Sequence, residues 1–402
     1  MAATLRPLDE ALATLVAAAP AAPEAQEGPL DAALGRVLAA DIAARIDVPP
    51  ADNSAMDGYA VRAGDAGREL RCSQRIPAGT AAAPLAADSV ARIFTGAPVP
   101  AGADAVVMQE DAAEGPAGVR LPPAIGAGQH IRRRGEDTRA GDLLLPAGRR
   151  LRPQDLGLLA SQGVDRVPLR RPLAVGLLST GSELREAGSG PLAPGQIYNS
   201  NRPMLLALLS SLGCVPRDFG CVPDSAARTR ECLREAAAQC DLIISSGGVS
   251  VGEADQVRDQ VAALGAIDLW RVAIKPGKPF AFGQVLGTPF LGLPGNPASA
   301  FVTFLLLARP WILVAQGRRD SDPRYLPGRA DFSLTRANSR CEFLRASLRR
   351  DGQALWATAY GNQSSGILRS IVASDCLLRV PAATTLAPGD AVDLLLLDQL
   401  LL

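Results

Sequence analysis

The sequence predicts a multidomain protein: a parallel α/β sheet domain accompanied by two β-rich units and a helix-rich segment. Three observations lead there. A chain of 402 residues is long enough for two to four domains, each with its own core. From Pro172 onward, apolar runs alternate with amphipathic stretches at helical spacing, the pattern of a parallel sheet covered on both faces. Elsewhere 39 glycines and 32 prolines break the chain into short pieces, which predicts tight turns and loop-built sites.

Residues 1–45 read as helix-rich, with LDEALATLVAA from Leu8 at helical spacing and a second such stretch from Asp31 to Ala40, ended by Pro49 and Pro50. From 46 to 135 the pattern changes to short β-branched runs such as ARIFTG from Ala91 and AVVMQ from Ala105, an irregular β domain inserted into the first unit. Residues 136–171 return to the helical unit through a helix opened by Pro153 and closed by Gly163. The α/β unit occupies 172–320. Its strand PLAVGLLSTG from Pro172 is followed by a helix over 202–212 capped near Asn201, a strand at 215–221 and a helix over 225–239. Strand DLIISSGG from Asp241, a helix over 253–264, a strand over 267–274 and a helix after Pro297 complete it. Residues 325–402 show short alternating strands with an Asp351-Gly352 hairpin signal and a Gly389-Asp390 turn, a separate small β domain.

Composition excludes several function classes. Lys plus Arg equals Asp plus Glu at 41 each, so there is no diffuse attraction to nucleic acid or to an acidic membrane, and any anion site must be local. A single histidine, His130, rules out histidine-cluster metal sites, and no nucleophile motif lies beside it. Seven cysteines, never spaced C-x-x-C, support neither a disulfide framework nor a zinc knuckle and read as reduced, mostly buried thiols. Asp9 and Glu10 stand where a secretory signal would be basic, and the best apolar run, Ser299 to Ala308, stops at Arg309 and Pro310. The expectation is a cytoplasmic protein with no membrane span.

Only two of the basic residues are lysines, Lys275 and Lys278, and both lie in the loop IKPGKP. Two residues placed at random in such a chain would fall within three positions of each other about 1.5% of the time. A compact, rotatable ammonium suits a small tetrahedral oxyanion or phosphate, whereas the planar guanidinium is longer and more rigid. A solvated turn with two chance lysines is the plain alternative.

Other loops at strand ends carry further candidates. In SSGGVS, Gly247 and Gly248 let backbone N–H groups and a helix start face a phosphate, although such turns also serve packing alone. Glu253 and Asp255 follow, either as capping acids or as a carboxylate holding Mg2+ against that phosphate. TGSEL offers Glu183; GQIYNSN offers Ser200 and Asn201, which read as helix caps. TGSE from Thr180, SSGGVSVGEAD from Ser245 and KPGKP from Lys275 leave strand ends and should converge on one side of the sheet, while the pattern leaves open the position of LPGNPAS from Leu293, which leads into a helix. In the inserted domain, small polar residues interrupt strands around Asp57 and Thr95, and RRRGED from Arg132 is either a solvated loop or an anion clamp bearing Glu136 and Asp137.

In chain order, NSAMDGYAV from Asn53, FTGAPVPAGADAVVMQE from Phe94, RGEDTRAGD from Arg134, STGSEL from Ser179, NSN from Asn199, SGGVSVGEAD from Ser246, IKPGKPFAFG from Ile274 and GLPGNPASAF from Gly292 resemble the molybdopterin molybdenumtransferase family, which is similar to the C-terminal domain of gephyrin. The resemblance covers nearly the whole chain. It implies an α/β domain of molybdopterin-binding type, a C-terminal β-barrel, and a homodimer whose active sites are shared between subunits. The implied reaction joins molybdate to adenylylated molybdopterin with Mg2+ and releases AMP. The residues implicated are Asp57, Thr95, Arg132 and Asp137 from one subunit, with Glu183, Asp224, Ser250, Asp255, Lys275, Lys278 and Ser299 from the other; Asp255 and Asp224 are the implied metal ligands. A molybdopterin adenylyltransferase and molybdoenzyme chaperones are the implied partners. The barrel segment from Gly361 departs from the family pattern at Ser374 and Asp375, which puts the anion contacts implied for Arg345 and Ser365 in doubt. Two other readings stand beside this one: a scaffold that keeps the fold without catalysis, and the adenylyltransferase of the same pathway.

Overall fold

The computed structural model describes residues 5–248 and 256–401. Strands Ala174–Thr180, Val215–Val222, Leu242–Ser246 and Thr288–Leu293 form the parallel part of a six-stranded sheet. Alternation along each strand sends side chains into two apolar layers, one on each face. Val175, Leu177, Leu242, Ile244, Leu291 and Leu293 join one core, while Leu178, Ile243 and Phe290 join the other.

The sheet is not parallel throughout. The strand expected over 267–274 runs over Gly265–Arg271 and pairs antiparallel with Pro279–Val285, which is itself antiparallel to Thr288–Leu293. The last two strands are joined by Leu286 and Gly287, both at positive φ (50° and 89°), the conformation of a tight two-residue hairpin. Leucine is an unusual residue there, and so no turn signal marked the hairpin in the sequence.

Helix Pro297–Thr303 continues through a π-helical turn, Phe304–Ala308, into helix Arg309–Ala315, so the helix runs on past Arg309 and Pro310, where the apolar run is interrupted. Pro310 has no N–H to give and crowds the preceding turn; a widened turn just before it lets the helix pass. This 19-residue stretch is apolar enough to cross a membrane by length and composition, but 94% of it is buried among the other elements, which makes it a core helix.

The second expected helix near the N-terminus is absent. Between Asp31 and Ala40 the chain makes the short 3-10 turn Leu30–Ala32, a left-handed turn at Gly35 (φ 74°) and single antiparallel bridges from Val37 to Arg150 and Leu38 to Leu169, and Ala33 and Leu38 reach a small core with Leu151, Leu159 and Leu169. Apolar spacing there reflects burial of a loop. Strand Ala25–Pro29 pairs with Arg166–Arg170, whereas Ala11 and Leu15 of helix Leu8–Ala17 enter the α/β core beside Trp311 and Ile312.

Residues 46–135 contain a six-stranded sheet ordered Ala105–Met108, Gly58–Val61, Ser89–Ile93, Glu69–Ile76, Gly118–Arg120 and Ala113–Gly115. At the C-terminal end, strands Leu326–Ala330, Cys341–Asp351, Ala354–Ala359, Cys376–Val380 and Ala391–Leu396 close into a five-stranded barrel, because Cys341–Asp351 pairs with both Ala354–Ala359 and Cys376–Val380. Closure leaves no free edge among these five strands. The seven cysteines are all free: Cys214 and Cys376 are buried, Cys72 is exposed and the rest are half-buried, fewer fully buried thiols than composition suggested.

Candidate active site at the carboxyl edge of the sheet

Because the central strands run parallel, the loops after Thr180, Ser246 and Leu293 leave the same edge of the sheet. Two successive antiparallel pairings bring the end of Gly265–Arg271 to that edge as well, and with it the loop 272–278. The LPGNPAS loop, left unplaced by the pattern, also reaches this mouth. Asn201 Nδ2 donates to Gly295 O at 2.7 Å and to Ser246 Oγ at 2.9 Å, and the Gly247 N–H donates to Leu293 O at 3.0 Å. Asn201 therefore is no cap: it makes no capping bond, and Asn199 Oδ1 accepts from the Arg202 N–H at 3.2 Å instead.

Two glycines are required by geometry. Gly248 sits at φ +70°, and a Cβ there would fall 2.6 Å from Val257 Cγ2 and 3.0 Å from Thr180 Oγ1. Gly181, at φ +142°, lets the Glu183 carboxylate fold back over its own loop, with Oε2 2.5 Å from where a Cβ would stand. Ser179 Oγ, Asn199 Nδ2 and Asn201 Oδ1 are buried at this edge with no hydrogen-bond partner among the described residues. Buried polar atoms are nearly always paired in folded proteins, so such a cluster marks a place where a polar ligand or water completes the bonding.

Asp224 approaches from the loop before helix Ala226–Gln239, and its Oδ2 accepts the Ser182 N–H at 3.0 Å. Both residues line a cavity of about 530 Å3 with Gly181, Glu186 and Cys221. Burial raises the Cys221 thiol pKa, and the nearby charges of Glu186, Glu183 and Asp224 raise it further, so three carboxylates share this corner. Ser250 and Asp255, the other expected site residues of this loop region, lie outside the described residues, as does Glu253.

The two lysines have different surroundings. Lys275 pairs with Glu342 of the barrel at 2.6 Å; Glu342 is 5% exposed, and the backbone ladder sets the two residues directly opposite each other. Lys278 is exposed and forms no ion pair among the described residues. Gly277 between them packs so closely on Thr303 that a Cβ would strike its hydroxyl, which fixes the loop against the core helix. Ser299 is buried in the first turn of that helix, and the Ala298 N–H donates to Ser365 O of the barrel at 2.9 Å. Arg345 is also buried: its Nε donates to Ser370 Oγ at 3.0 Å and its Nη2 to Ser364 O at 3.1 Å. Burial pushes its guanidinium down to about 10. Those contacts hold the 361–366 loop that reaches the helix start.

In the inserted domain, Asp57 Oδ1 accepts both the backbone N–H and the hydroxyl of Thr95, each at 2.8 Å. Those two bonds hold the Asp57 carboxyl below its ordinary range, the backbone bond most strongly. Strand Ile131–Arg132 pairs with Asn53–Ser54, and the Gly96 N–H donates to Ser54 O at 2.8 Å, so three loops interlock. Within RRRGED, Arg133 pairs with Asp52 at 2.6 Å and Arg134 with Asp47 at 2.5 Å, while Glu136 accepts the Arg133 N–H. Arg132 and Asp137 remain exposed, with no side-chain bond among the described residues. No hydrogen bond or ion pair among the described residues joins residues 46–135 to residues 172–401.

Three family models match the chain. "MoeA N-terminal region (domain I and II)" matches residues 6–163, "Probable molybdopterin binding domain" matches 176–313, and "MoeA C-terminal region (domain IV)" matches 327–397. The molybdopterin molybdenumtransferase of Haemophilus influenzae is 40% identical over 378 residues, covering 92% of this chain and 93% of its own. The chain belongs to the molybdopterin molybdenumtransferase family. Molybdopterin molybdenumtransferase 2 of Mycobacterium tuberculosis is 39% identical over 370 residues, covering 88% of this chain and 90% of its own. The crystal structure of the molybdopterin biosynthesis moeA protein from Pyrococcus horikoshii OT3 superposes with a TM-score of 0.84 at 29% identity, over 98% of this chain and 100% of that one.

For this molybdopterin molybdenumtransferase-type mouth, sequence reasoning missed two contributions. Glu342 carries no motif, and only the pairing of two distant strands sets it beside Lys275. The Asn201 tie was visible as a residue but not as a role, since an asparagine at a helix start reads first as a cap.

Proposed function

We propose that the chain inserts molybdenum into molybdopterin, as its relatives' names suggest, and that it does so by joining molybdate to adenylylated molybdopterin and releasing AMP. The observation that carries this is the exposed ammonium of Lys278, without an ion pair among the described residues, at a mouth with unpaired buried polar atoms. Molybdate is a small tetrahedral dianion, which suits such a compact charge. The Gly247 N–H is already given to Leu293 O, so Gly248 and the helix starts would bind phosphate oxygens by backbone N–H groups, and Ser250 and Ser299 would add hydroxyls. Lys278, with Lys275 oriented by Glu342, would stabilise charge developing on the departing AMP phosphate. No cysteine ligand is needed, since the substrate's own dithiolene would hold the metal.

Mg2+ fits the acidic corner. It commonly takes one or two carboxylates and completes its shell with phosphate and water, and Asp224 has one oxygen held by Ser182 with Glu183 next to that loop. No group of three or more His, Cys, Asp or Glu gathers into a full cage among the described residues. Asp224, together with Asp255, would hold the ion, which when bound neutralises phosphate charge.

The bonded pair Asp57 and Thr95, with the exposed Arg132 and Asp137, has no bonded link to this mouth among the described residues of one chain, which supports a homodimer in which one subunit's inserted domain completes the other's site. A cytoplasmic setting, with an adenylyltransferase upstream and molybdoenzyme chaperones downstream, belongs to the same reading. Supplying purified protein with adenylylated molybdopterin and Mg2+, with and without molybdate, tests it: AMP release that depends on molybdate is expected. Tight binding with no AMP release would favour a scaffold.

A further inference from the structure

A second cavity, this one basic, opens on different segments. It holds about 570 Å3 and is walled by Arg150 and Arg152, by Arg309 of the core helix, by Arg318 and Arg324 beyond it, and by Leu400 near the C-terminal end. Arg309 lies twelve residues past Pro297, about 18 Å along the helix from its start at the mouth. Five arginines here face three aspartates. Arg318 is already committed to Asp320 through two contacts of 2.8 Å, and Arg152 reaches Asp155 at 3.3 Å.

Arg309 is the unusual member. It is 6% exposed, its Nε donates to Leu400 O at 2.7 Å, and its Nη1 is buried with no acceptor among the described residues. Among the described residues Arg150 donates only to the carbonyls of Gly35 and Ser211, at 3.3 and 3.2 Å. Burial, with Arg318 adding to it, pushes Arg309 down to about 10 and lowers Arg150 as well. Guanidinium groups crowded beyond their carboxylate supply, one of them with an idle buried N–H, are relieved by a multiply charged anion, and their forks match phosphate oxygens two at a time.

We propose that this cavity binds a small phosphate-bearing polyanion. The ligand would bridge the segment around Arg150, the core helix and the end of the barrel, so its binding stabilises the arrangement of three units. Calorimetric titration of the full-length protein with pyrophosphate, ionic strength held constant with chloride, tests the idea. Saturable binding and a raised melting temperature are expected. Arg309→Met should weaken binding at least tenfold, as loss of a charge-assisted contact does. Should that buried change impair folding, the rim double variant Arg152→Ala, Arg324→Ala should give about the same loss with the fold intact, while Lys278→Met leaves binding unchanged. Absence of saturable binding, or binding lost in Lys278→Met and kept in the rim double variant, would overturn the proposal.

Discussion

Replacing Asn201 with Ala should loosen the mouth without unfolding the protein. The Asn201 amide is the only side chain that bonds both the SSGG and LPGN loops among the described residues, at 2.9 and 2.7 Å, and the residue is 7% exposed. Gly295 O can only accept, so the nitrogen must face it. Alanine removes the donor to that carbonyl and to the Ser246 hydroxyl together. The Ser246 hydroxyl is buried and loses its partner, whereas Gly295 is exposed and its carbonyl can turn to water, so the cost is roughly 1.5–3 kcal/mol, or about 10- to 160-fold in the local opening equilibrium. The Gly247 N–H to Leu293 O bond remains as a backbone tie, and hence the damage should stay local. Hydrogen exchange at the Gly247 amide reads this opening directly. Exchange at least tenfold faster than in the parent is expected, with KM raised more than kcat falls. Asn201→Asp, which keeps the size but turns a carboxylate toward Gly295 O, should be no better than Ala. Unchanged exchange at Gly247 in either variant would refute the reasoning.

Shared sites predict complementation: Asp57→Ala and Lys278→Ala, each inactive alone, should recover activity when mixed under proven subunit exchange, and failure to recover would count against a site built from two subunits. Acid stability should depend on Asp155, which is buried and bonded to Arg149 at 2.7 and 3.0 Å and to the Arg152 N–H at 2.9 Å. Burial alone would raise this carboxyl, but the hydrogen bonds from Arg149 and Arg152 outweigh it and leave the folded-state pKa below the ordinary 3.8. The stabilisation is therefore full above about pH 4 and is lost as pH falls through the lowered value; in Asp155→Asn, acid unfolding curves should lose part of that slope, with roughly 1–3 kcal/mol less stability at neutral pH. Thiol labelling at pH 8 should reach exposed Cys72 first, while Cys214 and Cys376, pushed up to about 12 by burial, stay unlabelled until denaturant is added. Early labelling of either buried thiol would contradict their placement.

The sequence made strong local signals legible. The helix expected over 225–239 forms as Ala226–Gln239, and the Asp351-Gly352 signal sits in the hairpin between Cys341–Asp351 and Ala354–Ala359. Asp57 and Thr95, chosen from separate motifs, prove to be bonded to each other. What stayed hidden depends on tertiary context. Apolar spacing from Asp31 to Ala40 was met by a buried loop, and the Leu286-Gly287 hairpin uses a residue that turn chemistry disfavours. The passage of the core helix through Pro310 relies on a widened turn that no residue pattern announces. Long-range contacts were the least readable of all: Glu342 lies 67 positions from Lys275 in sequence and meets it only because the barrel docks there.

Molybdate-dependent AMP release by Lys278→Arg, measured beside Lys278→Met and the parent, tests the central claim most directly. Met removes a charge-assisted contact and should cost roughly 10- to 150-fold. Arg keeps the charge, yet its planar fork does not fit the space of an ammonium beside a small tetrahedral anion, so it should fail in the same range with an unchanged melting temperature. A Lys278→Arg enzyme that releases AMP at the parent rate would contradict the account.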